Sequence, residues 1–156
     1  DGEIITDDAY SSNNGGVIGF TWNNELVLLR NVTGKDALNK GVRDAVTMGP
    51  FLIVNGEMAD IRGNGGWGYA ARTAIGQRAD GIVLMLVVDS NEFRTKGASM
   101  KDLAEIMERY GAINAANLDG GTSSAIVENG ELINDPIDSA LRHKTRGIPT
   151  MFKVTV

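Results

Sequence analysis

Short apolar runs separated by Asn- and Gly-containing turns recur along the chain, and this spacing constrains the fold more than any other feature. Asn129-Gly130 separates the apolar-rich residues 125–128 and 131–133, and Asn55-Gly56 and Asn23-Asn24 stand in similar positions. Asn and Gly tolerate the left-handed backbone conformation that a tight hairpin turn requires. The pattern therefore predicts a largely antiparallel structure built from successive hairpins.

The remaining predicted strands follow the same arrangement. They are residues 17–22 with 26–29, 44–48 with 51–54 across Gly49-Pro50, and 73–77 with 82–88. We expect these strands to belong to one sheet. Residues 82–88 are apolar at every position, which predicts burial on both faces of that strand. Residues 151–156 are expected to form a final strand.

One amphipathic helix is predicted to pack on this sheet. Ser99 can cap it while Asp102 returns the bond, and one face carries Met100, Leu103, Ile106, Met107 and Tyr110 before Gly111 ends the helix. A shorter helix over residues 36–40 is expected behind Thr33. The expected fold class is α+β: a mixed, mostly antiparallel sheet of hairpins with one main amphipathic helix packed on it.

Length and composition narrow the classes of function. The 156 residues are the size of one domain, so we expect a single domain over residues 1–156, with an acidic, loosely held arm at 1–16. The absence of cysteine excludes disulfides, thiolate metal sites and a cysteine nucleophile. A formal charge of −5 disfavours nucleic acid as a partner, and no apolar run approaches the roughly 18 residues of a membrane span.

Residues 117–124, Asn-Leu-Asp-Gly-Gly-Thr-Ser-Ser, form the segment best suited to chemistry. Two apolar segments flank this polar octet, so a tight polar crossing between two strands is expected. Paired glycines allow close approach of a ligand, while Asp119, Ser123 and Ser124 supply a carboxylate and two hydroxyls. The combination suits a sugar or a phosphate, although an Asp-Gly turn whose hydroxyls bond their own backbone would have the same composition.

Three other features are candidates for a functional role, and each also has an ordinary structural explanation. The glycine-rich segment 63–69 carries Trp67 and Tyr69, whose rings either stack on a sugar or belong to a plain surface loop with the Trp in the core. Asp89 follows a strand that we expect to be central, where it is either a catalytic carboxylate or a loop anchor. His143, the one histidine, lies in a polar loop and is expected to be exposed and not catalytic.

The octet and its surroundings resemble the phosphodiester glycosidase family. The matching pieces run in the family's order: residues 41–46, 49–52, 72–77, 80–81, 87–89, 110–115 and 117–124. The resemblance covers about Gly41 to the C-terminus. Thr122 stands where a third glycine is usual and Ala71 where a proline is usual. An upstream Asn-Gly-Phe-Phe-like motif is not recognisable, so part of the family's site could be missing. Because the sequence starts at Asp1 without an initiator methionine, we expect that a signal peptide or a larger N-terminal part could have been removed.

The resemblance implies a hydrolase that cleaves the glycosyl C1–O bond of a sugar 1-phosphodiester, of N-acetylglucosamine type, in a glycan or cell-envelope polymer outside the cell. It implies Asp119 and Asp89 as catalytic residues, at the point where the strands ending at Val88 and Leu118 meet. The Arg-x-x-Pro residues 146–149 are weakly similar to the family's C-terminal part. The substrate and its phosphate would be bound by residues of the octet, of the matching segment 72–77 and of this C-terminal piece: Arg72, Thr73, Asn117, Gly120, Gly121, Ser123, Ser124 and Arg146.

Two alternatives stay open beside this interpretation. A noncatalytic carbohydrate or cell-wall binding module would use the same Gly, Asn, Ser and aromatic content. A Ca²⁺ or Mg²⁺ site could draw hard oxygen ligands from Asp119, Asn117 and the hydroxyls, although the sequence holds no acidic cluster. We expect no cofactor, and the sequence does not indicate an oligomeric state.

Overall fold

A computed structural model describes residues 2–5, 7, 15–90, 96–138 and 140–155. The elements of these ranges are β1 (Gly16–Thr21), β2 (Leu26–Leu29), α1 (Gly34–Asn39), β3 (Val42–Met48), β4 (Phe51–Val54), β5 (Glu57–Met58), β6 (Arg72–Arg78), β7 (Val83–Val88), α2 (Met100–Arg109), β8 (Ala112–Asn117), a 3₁₀ turn (Gly121–Ser123), β9 (Val127–Glu128) and β10 (Glu131–Leu132).

The strands form antiparallel sheets, as the hairpin pattern predicts. A three-stranded sheet has the order β2-β1-β3, a five-stranded sheet has the order β5-β4-β8-β6-β7, and β9 pairs with β10. With α2 as the main helix, the α+β class is confirmed. Left-handed backbone at Asn24, Asn55 and Asn129 accounts for the turns of three predicted hairpins.

The prediction that one sheet contains the strands on both sides of Gly49-Pro50 is wrong. β3 pairs with β1, with Val46 opposite Ile18, whereas β4 pairs with β8, with Phe51 opposite Ala116. Proline has no amide hydrogen to continue a ladder, and the chain passes from one sheet to the other at this point.

The helices and the two larger sheets pack in layers. Leu103 and Met107 of α2 pack against Leu52 and Ala74 on one face of the five-stranded sheet. The other face, which carries Phe51, Ile75 and Ala116, packs against Ile18 and Leu26 of the three-stranded sheet. Ala37 of α1 covers the outer face of that smaller sheet beside Val17 and Val42.

The main helix α2 begins after the predicted cap Ser99, whereas α1 begins at Gly34, two residues before its predicted start. The Ser99 hydroxyl accepts a hydrogen bond from the Asp102 amide at 3.2 Å, and the Asp102 carboxylate accepts one from the Ser99 amide at 2.8 Å. Thr33 and Asp36 form the same reciprocal cap on α1, and Gly41 and Gly111 follow the helices with positive φ angles.

The prediction that residues 82–88 are buried on both faces is wrong. β7 lies at the edge of the five-stranded sheet, where Val83 and Met85 are 37% and 46% exposed. Leu86 and Val88 on the alternate positions pack toward α2. The smaller sheet does not cover the opposite face of β7 completely, so the apolar sequence of this strand does not correspond to two-sided burial.

The prediction of a final strand is also wrong for residues 151–155. Residues 151–155 are irregular, and Phe152 packs edge-on against Phe20 with the ring centroids 5.7 Å apart. This contact closes the space between the sheets without a ladder. Val156 lies outside the described residues.

The predicted loose arm at 1–16 is described in part. Within the described residues, the Gly2 amide donates to the Arg43 carbonyl at 3.0 Å, and the Asp7 carboxylate accepts from the Lys35 amide at 2.8 Å. The loose arm as a whole stays a prediction.

None of the helices in the described ranges combines the length and the apolar composition that crossing a membrane requires.

Candidate active site

The polar octet crosses the start of β6. Leu118 donates its amide to the Thr73 carbonyl at 2.9 Å, and Gly121 donates its amide to the Ala71 carbonyl at 2.8 Å. The octet therefore continues β8 along β6 before it turns. This attachment to a central strand of the sheet gives Asp119, between the two anchored residues, a defined position.

The two glycines of the octet are required for different reasons. Gly121 has a φ of +61°, which residues with a side chain rarely adopt. Gly120 is extended, but a Cβ there would lie 2.9 Å from the Ala71 carbonyl oxygen. Close approach to β6 thus explains Gly120, and the turn explains Gly121.

The carboxylate of Asp119 lies in an ion pair with Arg146. An Arg146 Nη2 to Asp119 Oδ2 distance of 2.5 Å joins the two side chains, and Arg146 Nε donates to the Ser123 hydroxyl. The Arg146 amide also donates to the Thr122 carbonyl at 3.3 Å. Both charged side chains remain accessible, with 42% and 55% of the Asp119 and Arg146 side chains exposed. The structure thus brings together three predicted site residues from two distant segments.

Arg72 lies in a different environment. It is 6% exposed, and it donates from Nε to the Ala98 carbonyl and from Nη2 to the Trp67 and Gly68 carbonyls, at 2.9 to 3.1 Å. Burial lowers the pKa of its guanidinium below the ordinary value. These bonds connect residues 67 and 68 of the aromatic loop to Ala98, just before α2, and the predicted role of Arg72 in phosphate binding stays a prediction.

Asp89 is engaged in a second network. Its Oδ1 accepts from the Asn134 side-chain amide at 2.7 Å and its Oδ2 from the Asp135 backbone amide at 2.9 Å. Asn134 also donates to the Ser124 carbonyl and accepts from the Ile126 amide. The sequence analysis does not identify Asn134, because it is a polar residue after a predicted hairpin and belongs to no recognisable motif.

The strands that end at Val88 and Leu118 are not direct neighbours, because β6 lies between β7 and β8, but both end beside the start of β6: Arg72 pairs with Val88, and the Leu118 amide donates to the Thr73 carbonyl. Asp89 and Asp119 follow strands on opposite sides of β6. Asp89 also follows an edge strand, not a central one. Its two bonds to residues 134 and 135 correspond to the loop-anchor alternative.

Three buried polar atoms near the octet have no hydrogen-bond partner in the described part of the chain. They are Thr73 Oγ1, Asn117 Oδ1 and Ser124 Oγ. Asn117 is otherwise anchored, because its side-chain amide donates to the Gly49 carbonyl at 2.8 Å. Leaving a buried polar group unsatisfied costs about 1 to 3 kcal/mol, so such atoms indicate sites where water or a ligand binds.

A cavity of about 170 Å³ adjoins Asp119 and Ser123. It lies between the two larger sheets and the C-terminal segment, and its lining is mainly aliphatic and methionine side chains together with Phe152. Thr73 contributes to the same wall. The site therefore combines a solvent-accessible ion pair with an apolar recess.

Trp67 and Tyr69 are exposed by 56% and 57%, so the alternative in which Trp67 lies in the core does not hold. His143 is exposed as expected, and its Nδ1 lies 2.6 Å from Asp135 Oδ1.

Within the described ranges, no group of at least three His, Cys, Asp or Glu side chains is placed to hold a metal ion. The hypotheses on cofactors and divalent cations stay predictions.

Relatives of known sequence connect this geometry to a family. The SPbeta prophage-derived uncharacterized protein YomE of Bacillus subtilis is 31% identical over 121 residues, which are 72% of this chain and 18% of that protein. The N-acetylglucosamine-1-phosphodiester alpha-N-acetylglucosaminidase of Bos taurus is 38% identical over 69 residues, 44% of this chain and 13% of the enzyme. The chain thus spans less than a fifth of either relative.

Solved structures show the same fold. The catalytic domain of zebrafish N-acetylglucosamine-1-phosphodiester alpha-N-acetylglucosaminidase superimposes with a TM-score of 0.63 at 24% identity, over 79% of this chain and 45% of that one. A hypothetical protein from Synechocystis gives a TM-score of 0.53 at 21% identity, over 85% of this chain and 33% of that one. A family model described as phosphodiester glycosidase matches residues 1–155, nearly the whole chain, and the protein therefore belongs to the phosphodiester glycosidase family.

Proposed function

We propose that the chain hydrolyses the glycosyl C1–O bond of a sugar 1-phosphodiester, with Asp119 and Arg146 at the reacting centre. Family membership supports a hydrolase that acts on sugar phosphodiesters. The finer parts of the proposal are a sugar of N-acetylglucosamine type, a glycan or cell-envelope polymer as its source, and a location outside the cell. The relatives that are named for N-acetylglucosamine support the choice of sugar.

The ion pair between Asp119 and Arg146 is the observation that carries the proposal. An accessible ion pair contributes only about 0 to 1 kcal/mol to stability, so stability gives little reason for it. A phosphodiester contains what each partner can recognise: an anionic phosphate for the guanidinium and an electron-poor anomeric carbon for the carboxylate. On binding, the phosphate oxygens take over guanidinium donors that Asp119 now uses.

A single carboxylate is sufficient for the proposed reaction. Water adds its oxygen to C1 and gives up one proton to the Asp119 carboxylate or to bulk water, the C1–O bond breaks, and the bonding electron pair leaves on the oxygen of a phosphate monoester. Because this leaving group ionises with a pKa near ~6, it departs as a stable anion without a general acid. Asp119 serves as nucleophile, as general base or as anchor of a sugar hydroxyl, and its charge stabilises the oxocarbenium-like transition state. In this proposal Asp89 has a structural role, because its carboxylate accepts hydrogen bonds from residues 134 and 135.

The test uses α-N-acetylglucosamine 1-phosphodiesters and follows free sugar and phosphomonoester. Asp119→Asn should lower kcat/KM by about 10² or more, because the stabilising charge is lost. Asp60→Asn is a matched control, since Asp60 is an exposed partner of Arg62 outside the site. Near-normal turnover of Asp119→Asn would remove Asp119 from the mechanism.

A second substrate separates phosphate recognition from the remaining chemistry. The second substrate is the nitrophenyl glycoside of the same sugar, whose activated leaving group contains no phosphate. Arg146→Lys keeps the charge but loses the paired donors of the guanidinium, so phosphodiester hydrolysis should suffer more than hydrolysis of this nitrophenyl glycoside. Arg62→Lys, an exposed arginine with the same change, is the control. Equal losses on both substrates would withdraw the phosphate contact from Arg146.

A noncatalytic carbohydrate-binding module is the second candidate, because Trp67 and Tyr69 present exposed rings on a loop anchored by Arg72. Aromatic faces bind the apolar face of sugars. Glycan binding that Trp67→Ala abolishes, in a protein without any turnover, would favour this function over hydrolysis.

A further inference from the structure

The cavity beside Asp119 differs in character from the sugar and the phosphate of the proposed substrate. We propose that it binds the aglycone, the alcohol part of the phosphodiester, and that this aglycone is an alkyl or prenyl chain. The inference rests on the proposed function for the position of the phosphate. It replaces the glycan or polymer on the aglycone side of the phosphate with a different substrate class, an amphiphilic sugar phosphodiester.

The lining of the cavity supports an apolar occupant. Val46 and Met48 of β3 contribute one wall, Ile75 and Met85 of the five-stranded sheet the opposite wall, and Met151 and Phe152 the C-terminal side. Burial of apolar surface would drive binding here, and methionine side chains adapt to chains of varying shape. A sugar ring would leave most of its hydroxyls without partners against such a wall.

The polar groups of the cavity set the direction of the ligand. Asp119 and Ser123 line it, and Arg146 bonds to both of these side chains. A phosphate at Arg146 therefore places its esterified alcohol at the cavity. The sugar, on the other ester oxygen, then lies on the other side of Asp119, where a second cavity also adjoins this residue.

Thr73 provides an independent observation. Its hydroxyl is buried, lacks a hydrogen-bond partner in the described ranges, and belongs to a residue of the cavity wall. The backbone bond from Leu118 to Thr73 places it beside the octet, close to the charged end. In the proposed complex this hydroxyl donates to the ester oxygen that links the chain to the phosphate.

The volume matches a chain of modest length. A cavity of about 170 Å³ compares with an engineered apolar cavity of roughly 150 Å³ that binds benzene. About six carbon atoms therefore fit inside. Met85 and Met151, both exposed in part, extend the apolar surface outward for a longer chain.

Binding of simple phosphate esters tests the inference directly. Calorimetry with methyl, butyl and hexyl phosphate should show affinity that rises with chain length, by about fourfold per buried methylene at most. Hexyl phosphate should bind on the order of 10²-fold tighter than methyl phosphate. Equal affinities for the three esters would overturn the proposal.

Two variants and a control locate the effect. Ala125→Leu fills the cavity from its wall and should abolish the dependence on chain length, whereas Ala79→Leu, on an exposed turn, should not. Thr73→Val removes the unpartnered hydroxyl without changing volume, so the fold should be retained. It should weaken every ester by about the same factor and leave the dependence on chain length intact.

The outcomes separate this inference from the proposed function. Hydrolysis of N-acetylglucosamine 1-phosphodiesters at rates that ignore the alkyl chain, with no effect of Ala125→Leu, would overturn the aglycone assignment and leave the hydrolase intact. Chain-length-dependent binding without hydrolysis would support the cavity and count against the enzyme. A dimer that Ala125→Leu dissociates, seen by analytical ultracentrifugation, would assign the cavity to a second copy instead.

Discussion

Arg72 and Arg146 have the same side chain but different surroundings, and burial decides what each can do. The guanidinium of Arg72 is bound to three backbone carbonyls at a buried position. Arg146 is half exposed and bonds to side chains that a ligand can displace. Both lie in segments that resemble the family, so sequence similarity alone does not distinguish a phosphate contact from a structural contact.

We therefore expect Arg72→Lys to act through the fold. A lysine cannot reproduce the three donor directions, and a lost hydrogen bond from a charged group costs about 1.5 to 3 kcal/mol. Urea unfolding should show this loss, and activity on the phosphodiester and the nitrophenyl glycoside should fall together. A selective loss on the phosphodiester, with unchanged stability, would return Arg72 to phosphate binding.

Substitution of alanine for each glycine of the octet should affect stability and turnover differently. Gly121→Ala places a side chain at φ +61° and should lower the free energy of unfolding by about 1 to 2 kcal/mol. Gly120→Ala forces its Cβ against the Ala71 carbonyl, shifts the octet and should reduce turnover as well. Gly147→Ala is the control, because nothing lies within 4 Å of a Cβ there and its φ is ordinary. Unchanged melting and turnover in both octet variants would refute the account of the crossing.

The sequence indicates Asp119 and its glycines because their chemistry is local. It does not indicate Asn134, whose side chain joins Asp89, 45 residues away, to Ser124. It also does not reveal that Asp89 is held at both oxygens. Such roles depend on which segments become neighbours in the fold.

At the scale of elements, the helix cap of α1 predicts a dependence of stability on pH. Bonds from the Thr33 backbone and side chain hold the pKa of Asp36 below its ordinary value of 3.8. Because the folded-state pKa is lowered, the carboxylate stabilises the protein above about pH 3.8, and this contribution disappears as pH falls through the lowered pKa.

Asp36→Asn should therefore be less stable than the parent protein at pH 6.5, and the difference should shrink in acid below the ordinary pKa. Urea unfolding at a series of pH values measures the difference. A gap of constant size across the series would mean that the charge of Asp36 is not responsible for the stabilisation.

Hairpins and caps could be predicted from the sequence because their determinants lie within a few residues of each other. Sheet membership could not, since β4 joins β8 across about sixty residues while β3 joins β1. The exposed face of β7 was missed for a related reason. An apolar strand lines a partly open space as readily as it fills a core.

At the scale of the molecule, the two larger sheets produce the cavity that adjoins the candidate site. Their facing residues pack around Ile18, Phe51 and Ile75, while the C-terminal segment closes one side through Phe152. The α+β class follows from the sequence. The gap between the sheets depends on how their faces fit, which no single segment encodes.

In the proposed reaction, water attacks the anomeric carbon and not the phosphorus. Hydrolysis of an α-N-acetylglucosamine 1-phosphodiester in H₂¹⁸O distinguishes the two bonds, with mass spectrometry of both products. We expect ¹⁸O in the sugar, none in the phosphomonoester, and loss of the labelled sugar in Asp119→Asn. Label in the phosphate, or label in the sugar at the same rate without the Asp119 carboxylate, would contradict it.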